Sequence, residues 1–480
     1  MRWRSNVRPD ETTGARQQLG WFTTLFAMGL VFHYSDSQPL AAVPVLLAGL
    51  PALIFPGSVA AAGLVVAAGA TVAVLNLPAA SNHLVLSLLV ALAFGVAALW
   101  AAAVKDPSSF AERWLGAARS PVGLVLLVVY LFTVFDKLNT AYFTPATSCG
   151  SELFGQLIWL NGLGDGVLSP TAGQVVAVAT VVAEAAILGL LAVPRLRYWG
   201  VLLGVVFHSI LGLASFYDFA TVVFAVYLLL VPTEVFATLG PRATALRRLA
   251  LTGFAAHVLL SVGSSSADSP ASPIGLPWHT LLVLTWLIAV VPLMYVVLRG
   301  YRAARLAGVE TPGWHLRPVV LLVVPLLALA NGLTPYLGLK TVANYSMFSN
   351  LHTEEGATNH LLPGVNAMQP VGYQRDTVTV VGLEFPAPSA DMTSLRRQAR
   401  WMSEDPPVRI PWLELRRSVL LWQGAGIDGV RIAYLRDGPP RVVDDATADP
   451  VLAAPMPWWQ RHLLAFRAVD SGWGADACRW

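Results

Sequence analysis

Charge is what this sequence has least of. Only 12% of its 480 residues are Asp, Glu, Lys or Arg, against roughly 25% in soluble domains, so the surface of an ordinary soluble protein is excluded. A formal net charge of +3 gives no basis for a nucleic-acid partner. Cysteine is nearly absent: Cys149 and Cys478 rule out a disulfide scaffold or a thiolate metal cluster and allow at most one bridge. Also missing are the phosphate-binding loop, the nucleophile elbow, the HExxH zinc motif and a dinucleotide fingerprint placed after a strand.

What is present is apolar: 55% of the chain is hydrophobic, in repeated runs near the length that crosses a bilayer. Eleven such segments lie near 19–35, 39–57, 58–79, 83–104, 120–140, 171–193, 197–216, 219–232, 248–265, 278–300 and 316–338. About nine to eleven of them are expected to span. The start, "MRWRSNVRPDETTGARQQLGWFTTLFAMGL", is basic and then apolar with no small-x-small cleavage site, and reads as a cytosolic leader into the first span. Lys and Arg prefer short cytoplasmic loops. With the N-terminus inside, Lys105, Arg113, Arg119, Arg195, Arg197, Arg242, Arg247, Arg248, Arg302 and Arg305 all fall inside, and the intervening loops are nearly free of basic residues. The last segment, 339–480, then lies outside. It gains charge, Pro and Trp; "RDTVTVVGLEF" and "GVRIAYLRDGPPRVV" alternate like strands and "WWQRHLLAFRA" reads as a short helix. The expected architecture is mainly α: a polytopic transmembrane bundle over 1–338 with a small extracytoplasmic α+β domain over 339–480.

Charged groups at membrane depth are costly and usually face the bundle interior. Asp136 and Lys137 end the fifth apolar segment, Glu184 sits mid-way in the sixth, His208 in the seventh and His257 in the ninth. At ~1.5 Å per residue, Lys137 is expected about 5 Å below the outer boundary, His208 about 12 Å and Glu184 about 20 Å, on the wall of one outward-opening cavity. Tyr130, Thr133, Lys137 and Thr140 share one helical stripe. Gly204 and Gly212 flank His208 at four-residue intervals, where a neighbouring helix can approach closely. Each feature also has a plainer reading. Lys137 can snorkel to the headgroups beside a solvated Asp136, Glu184 can be a protonated interhelical hydrogen bonder, and His208 and His257 can be packing residues. "HTEEGATNH", with His352, Glu354, Glu355 and His360, fits no metal-ligand spacing and reads as a loop anchor; no metal is expected.

The stretches "VYLFTVFDKLNTAYFTPATSCGSELF", "GVVFHSILGLASFYDFATVVFAVYLLLVP" and "NGLTPYLGLKTVANYSMFSNLHTEEGATNHLLPG" together resemble the HTTM (horizontally transferred transmembrane) family, whose best-known members are the vitamin K-dependent gamma-carboxylases. The resemblance covers most of the membrane region and enters the last segment. It implies that Lys137, followed by Leu138, is the base that deprotonates a reduced naphthoquinone, vitamin K hydroquinone or menaquinol. His208 matches the histidine of the later span, and "SNHLVLSLLVALAF" matches the family's Asn-His pair at the start of an early span, which brings Asn82 and His83 to the site. Tyr130, Asp136, Asn139 and Glu184 join them as candidate quinol contacts. In the family, oxygen attacks the deprotonated ring and yields an epoxide and a strong base, which removes a γ-proton from a glutamyl side chain so that carbon dioxide adds. An amine is a base only when neutral, and burial away from water disfavours its charged form.

One position departs from the family: Asp136 stands where the carboxylases have a second lysine. A neighbouring carboxylate favours the charged amine. Two functions are therefore carried forward: a quinol-oxidising, carboxylase-like enzyme with a glutamate-containing peptide or protein as a possible further substrate, and a non-enzymatic quinone-binding, lipid-binding or transporter-like component. The expected partners are membrane lipids and a quinol. Cys149 and Cys478, both expected outside, are either bridged, an oxidising exterior permitting it, or free.

Overall fold

A computed structural model describes residues 11–35, 39–265, 272, 276–315, 318–365, 369–386, 408–470 and 478. Every apolar segment falls on a helix: α1 Glu11–Ser35, α2 Pro39–Ile54, α3 Val59–Leu75, α4 Asn82–Ala103, α5 Phe110–Asp136, α7 Pro170–Ala192, α8 Arg197–Leu213, α9 Tyr217–Leu230, α11 Pro241–Ser265, α12 Trp278–Leu306, and a 3-10 turn Val319–Leu322 that runs into α13 Val323–Gly332. Two short helices, α6 Cys149–Leu160 and α10 Thr233–Ala237, lie between them. Among the described residues six helices, α4, α5, α7, α8, α11 and α12, are long and apolar enough to cross a membrane, and α2, α3, α9 and α13 are shorter apolar helices. The protein is a mainly α, multi-pass membrane protein with a small sheet region near its C-terminus.

Local chemistry sets the starts of the two helices that matter most for the site. α5 opens on a capping box in which the Glu112 amide donates to Ser109 Oγ and the Ser109 amide donates to Glu112 Oε2 at 2.7 Å. α7 opens on Ser169 with Pro170 at the first helical position. Helical periodicity then sorts their faces. In α7 the buried residues are Gly173, Ala177, Glu184, Ile187 and Leu191, one stripe at three- and four-residue multiples, while Val175, Val178 and Val182 are exposed apolar side chains of the kind that face lipid. In α8 Gly200, Gly204, His208 and Gly212 are buried along one such stripe. α9 is the centre of the bundle, with twelve buried residues from Tyr217 to Leu230.

Small residues let the helices close. A Cβ at Gly204 would come within 2.0 Å of Tyr227 Oη, and one at Gly212 within 2.3 Å of the Trp286 ring. The close approach expected around His208 is therefore real, and its partners are α9 and α12.

The C-terminal sheet is antiparallel, in the order β4-β3-β1-β2-β5, formed by β1 Thr377–Glu384, β2 Val408–Pro411, β3 Arg431–Leu435, β4 Arg441–Val443 and β5 Val469–Asp470. Val378 and Val380 of β1 and Ile432 and Tyr434 of β3 point into its core, where Leu415, Val419 and Trp422 of the helix Trp412–Gly424 cover them. The expected strands and the helix at Trp458–Leu463 are present; β2, β5 and the helix Trp412–Gly424 were not foreseen.

The boundary expected at residue 339 moves. Ala343, Tyr345 and Leu351 belong to the apolar core of the bundle, and the core of the sheet begins at Val378. The composition change after 338 marks the end of the last apolar helix, and the polar segment that follows folds back onto the bundle. Its backbone takes left-handed conformations at Ala343, Tyr345, Phe348, Asn350 and Glu355, which L-residues adopt at a cost of order 1–3 kcal/mol, held by polar contacts such as Asn331 Nδ2 to the Ala343 carbonyl at 3.0 Å.

Candidate functional site: a buried cavity beside Lys137

Lys137 caps the C-terminal end of α5, and its stem runs back along the helix, so that Nζ donates to the Thr133 carbonyl at 3.2 Å. The other two ammonium protons go to Glu184 of α7, at 2.8 Å to Oε2 and 3.0 Å to Oε1. Both side chains are almost fully buried. An ion pair out of water is held by its mutual geometry, and either member alone is costly there. The depth expected from span ends put the two about 15 Å apart; in the structure they are in direct contact.

These groups face a cavity of about 360 Å³, within the roughly 300–1,000 Å³ range of small-molecule sites. Asn82, His83, Tyr130, Lys137, Glu184 and His208 all line it, with Thr133 and Tyr142. The remaining wall is mostly apolar and aromatic, from Phe154 of α6 through Phe207 and Phe219 to Met347 and Phe348 of the folded-back segment. One wall carries a hydroxyl and imidazole network: Tyr130 Oη is 2.7 Å from His208 Nε2 and 2.5 Å from Tyr227 Oη. Among the described residues His208 Nδ1 and Asn82 Oδ1 are buried without a hydrogen-bond partner.

Two expected contacts lie elsewhere. Asp136 is fully buried but points away from the cavity, where Tyr336 Oη donates to Oδ1 at 2.5 Å. Successive helical residues point about 100° apart, so neighbours in sequence do not share a face. The carboxylate beside Lys137 in sequence is thus not its partner; Glu184 is. Asn139 is a structural clasp: Nδ2 donates to the Asp136 and Ser349 carbonyls, and Oδ1 accepts from the Tyr142 amide. Thr140 leaves the stripe because the helix has ended, and its amide donates to the Asn359 carbonyl.

The acidic loop anchors, as expected. His360 Nε2 donates to the Phe135 carbonyl at 3.0 Å, Glu355 takes two hydrogen bonds from Arg409 at 2.8 and 2.9 Å, and Glu354 lies between Arg467 and His352. Together these tie the sheet to the end of α5 that carries Lys137. Cys149, at the start of α6, and Cys478 are joined in a disulfide. His257 packs against Phe32 and Tyr217, away from the cavity.

The residues not foreseen are Tyr142, Tyr227, Phe154, Phe219, Met347 and Phe348. Tyr227 had a signal, since Gly204 one helix away leaves the space its hydroxyl fills; Phe219 lies in the first turn of α9, Phe154 on α6, and Tyr142, Met347 and Phe348 outside the helices.

Fold and cavity define a multi-pass helical membrane protein with a mostly apolar chamber and a buried lysine–glutamate pair on its wall. Compared with known proteins, the chain matches no family model, no curated protein and no solved structure.

Proposed function

We propose that the protein is a carboxylase-like membrane enzyme of the HTTM type that binds a reduced naphthoquinone in the Lys137 cavity and oxygenates it. The observation that carries this reading is the convergence of Lys137, His208, His83 and Asn82, drawn from three different helices, on one apolar chamber of ring-accommodating size. In this reading the hydroquinone enters from the bilayer, its ring lies against Phe207 and Phe219, and one hydroxyl faces Lys137.

A proton hop along the 2.8 Å contact from Nζ to Glu184 Oε2 turns the ion pair into a neutral amine and a carboxylic acid without moving charge in or out of the chamber. The amine then takes the hydroquinone proton. Dioxygen adds to the deprotonated ring; one oxygen atom ends in the epoxide and the other in water, and the four electrons come from the hydroquinone on its way to the quinone epoxide. The apolar wall keeps bulk water from the strong base formed on the way. Carboxylation of a glutamyl side chain is the further step the resemblance suggests, with the acceptor reaching the site from the side of the sheet. The basic-residue pattern supports a cytoplasmic N-terminus and an extracytoplasmic sheet.

The test uses purified protein, a short-chain menaquinol and oxygen, with product read by mass spectrometry. Oxygen-dependent epoxide is expected from wild type and none from Lys137→Ala; no epoxide from wild type, or equal epoxide from the variant, would sink the proposal. A second reading, a quinone- or lipid-binding component without turnover, is favoured by the fact that all three Lys137 protons are already donated. It predicts quinol binding with no oxygen uptake.

A further inference from the structure

The chain holds a second cluster of functional groups where the ends of three helices meet, and it shares only His83 with the quinol reading. His33 lies in the last turn of α1, His83 in the first turn of α4 and Asp218 in the first turn of α9. Their ligand atoms form a closed triangle: His83 Nε2 to His33 Nδ1 is 2.8 Å, His33 Nδ1 to Asp218 Oδ2 is 3.2 Å, and His83 Nε2 to Asp218 Oδ2 is 3.2 Å.

Hydrogen bonding cannot satisfy this triangle. Each ring nitrogen brings at most one proton to it, whatever the tautomer or charge of the imidazole, and an ionised carboxylate brings none. Three edges at hydrogen-bond distance therefore share at most two protons. When both ring nitrogens carry a proton, they face each other at 2.8 Å as two donors; when one does not, its lone pair faces another acceptor. A cation bound by all three atoms removes the conflict, since each then directs a lone pair at it.

The dimensions favour a metal ion. A triangle of these sides has a circumradius of about 1.8 Å, so an ion ~2.1 Å from each ligand atom sits about 1.1 Å out of their plane. The resulting ligand–metal–ligand angles are about 84° to 99°, close to the 90° of one face of an octahedron and well short of a tetrahedral 109°. Two imidazoles and one carboxylate on one face leave three positions open, the arrangement of non-haem ferrous sites. Asp218 Oδ1 accepts from the Phe219 amide at 2.6 Å, a contact that orients a ligating carboxylate, and Ser81 Oγ lies beside the His83 ring, 3.2 Å from Nδ1 and 3.3 Å from Nε2.

We infer that His33, His83 and Asp218 bind one six-coordinate divalent transition-metal ion, of the ferrous or manganous class. His83 also lines the Lys137 cavity, so the ion fixes the wall of that chamber and locks α1, α4 and α9 together. No metal spacing marks the sequence, because each ligand comes from a different helix, 50 and 135 residues apart along the chain. The inference stands independently of the quinol reading.

The test is metal content and spectroscopy, with no turnover involved. Full-length protein in detergent is stripped with chelator, reloaded anaerobically with Fe(II), Mn(II) or Co(II), freed of excess and assayed by elemental mass spectrometry. One equivalent per chain is expected for wild type, falling at least tenfold in Asp218→Asn and in His33→Gln, with a rise in melting temperature on loading that the variants lack. Because the variants can fold poorly, wild type carries its own readout: bound Co(II) should show the weak visible bands of six-coordination. Less than a tenth of an equivalent in wild type, a full equivalent in Asp218→Asn, or the intense bands of tetrahedral cobalt would each overturn the inference.

Discussion

Replacing Lys137 with Met keeps most of the aliphatic stem and removes the cation that holds both oxygens of Glu184. Among the described residues Glu184 makes no other hydrogen bond, so the substitution strands a buried carboxylate. Breaking a buried pair from one side costs about 3–5 kcal/mol, two to nearly four orders of magnitude in the folding constant at about 1.4 kcal/mol per factor of ten. Glu184→Met strands the ammonium instead and should cost a similar amount. The double variant leaves no unpaired charge, and replacing a buried pair with apolar residues of similar volume is often neutral or stabilising. The assay is equilibrium unfolding in mixed detergent micelles, followed by tryptophan fluorescence and by helicity. Each single variant should be at least 2 kcal/mol less stable than wild type, and the double variant should recover most of that loss. Single variants within 0.5 kcal/mol of wild type, or a double variant that shows the sum of the two losses, would refute the pairing.

Three further outcomes follow from named contacts. Gly204→Ala should destabilise by about 1–3 kcal/mol, because its Cβ meets Tyr227 Oη at 2.0 Å; thermal unfolding would show this, and Gly95→Ala, which meets nothing within 4 Å, is the control. Reducing the Cys149–Cys478 bond, or changing both residues to Ser, should cost about 2–4 kcal/mol and shift mobility on a non-reducing gel; an unchanged melting temperature would contradict it. Burial alone would raise the Glu354 carboxyl, but Arg467, His352 and the Thr353 amide together hold it below the ordinary value. Its stabilisation is therefore complete above the ordinary pKa of ~4.3 and is lost as pH falls below that through the folded value. Acid unfolding of wild type should show this loss, and Glu354→Gln should flatten it.

Helical periodicity made much of this molecule legible. The eleven segments, the buried stripe on α8 and the placement of Tyr130 and Lys137 all follow from apolar runs and three- and four-residue steps. The Lys137–Glu184 contact did not, because depth counted along the backbone ignores the reach of a lysine side chain that runs back along its helix to the Thr133 carbonyl. Asp136 misled for a simpler reason: adjacency in sequence is not adjacency in space, and the helix turns its carboxylate toward Tyr336. The helix Trp412–Gly424 was hidden by its mixed "WLELRRSVLLWQG" composition, although Leu415, Val419 and Trp422 repeat at helical spacing. His33 and Asp218 carry no local signal, and only the packing of α1, α4 and α9 unites them.

The central claim is that the Lys137 chamber holds a quinol with its hydroxyl at the amine. The most direct measurement is an experimental structure of the full chain with a reduced naphthoquinone analogue bound. The ring should lie against Phe207 and Phe219, with one ring oxygen within ~3.2 Å of Lys137 Nζ, the reach of a hydrogen bond that passes a proton. An analogue bound elsewhere, or a chamber filled by a lipid chain at saturating analogue, would contradict the account.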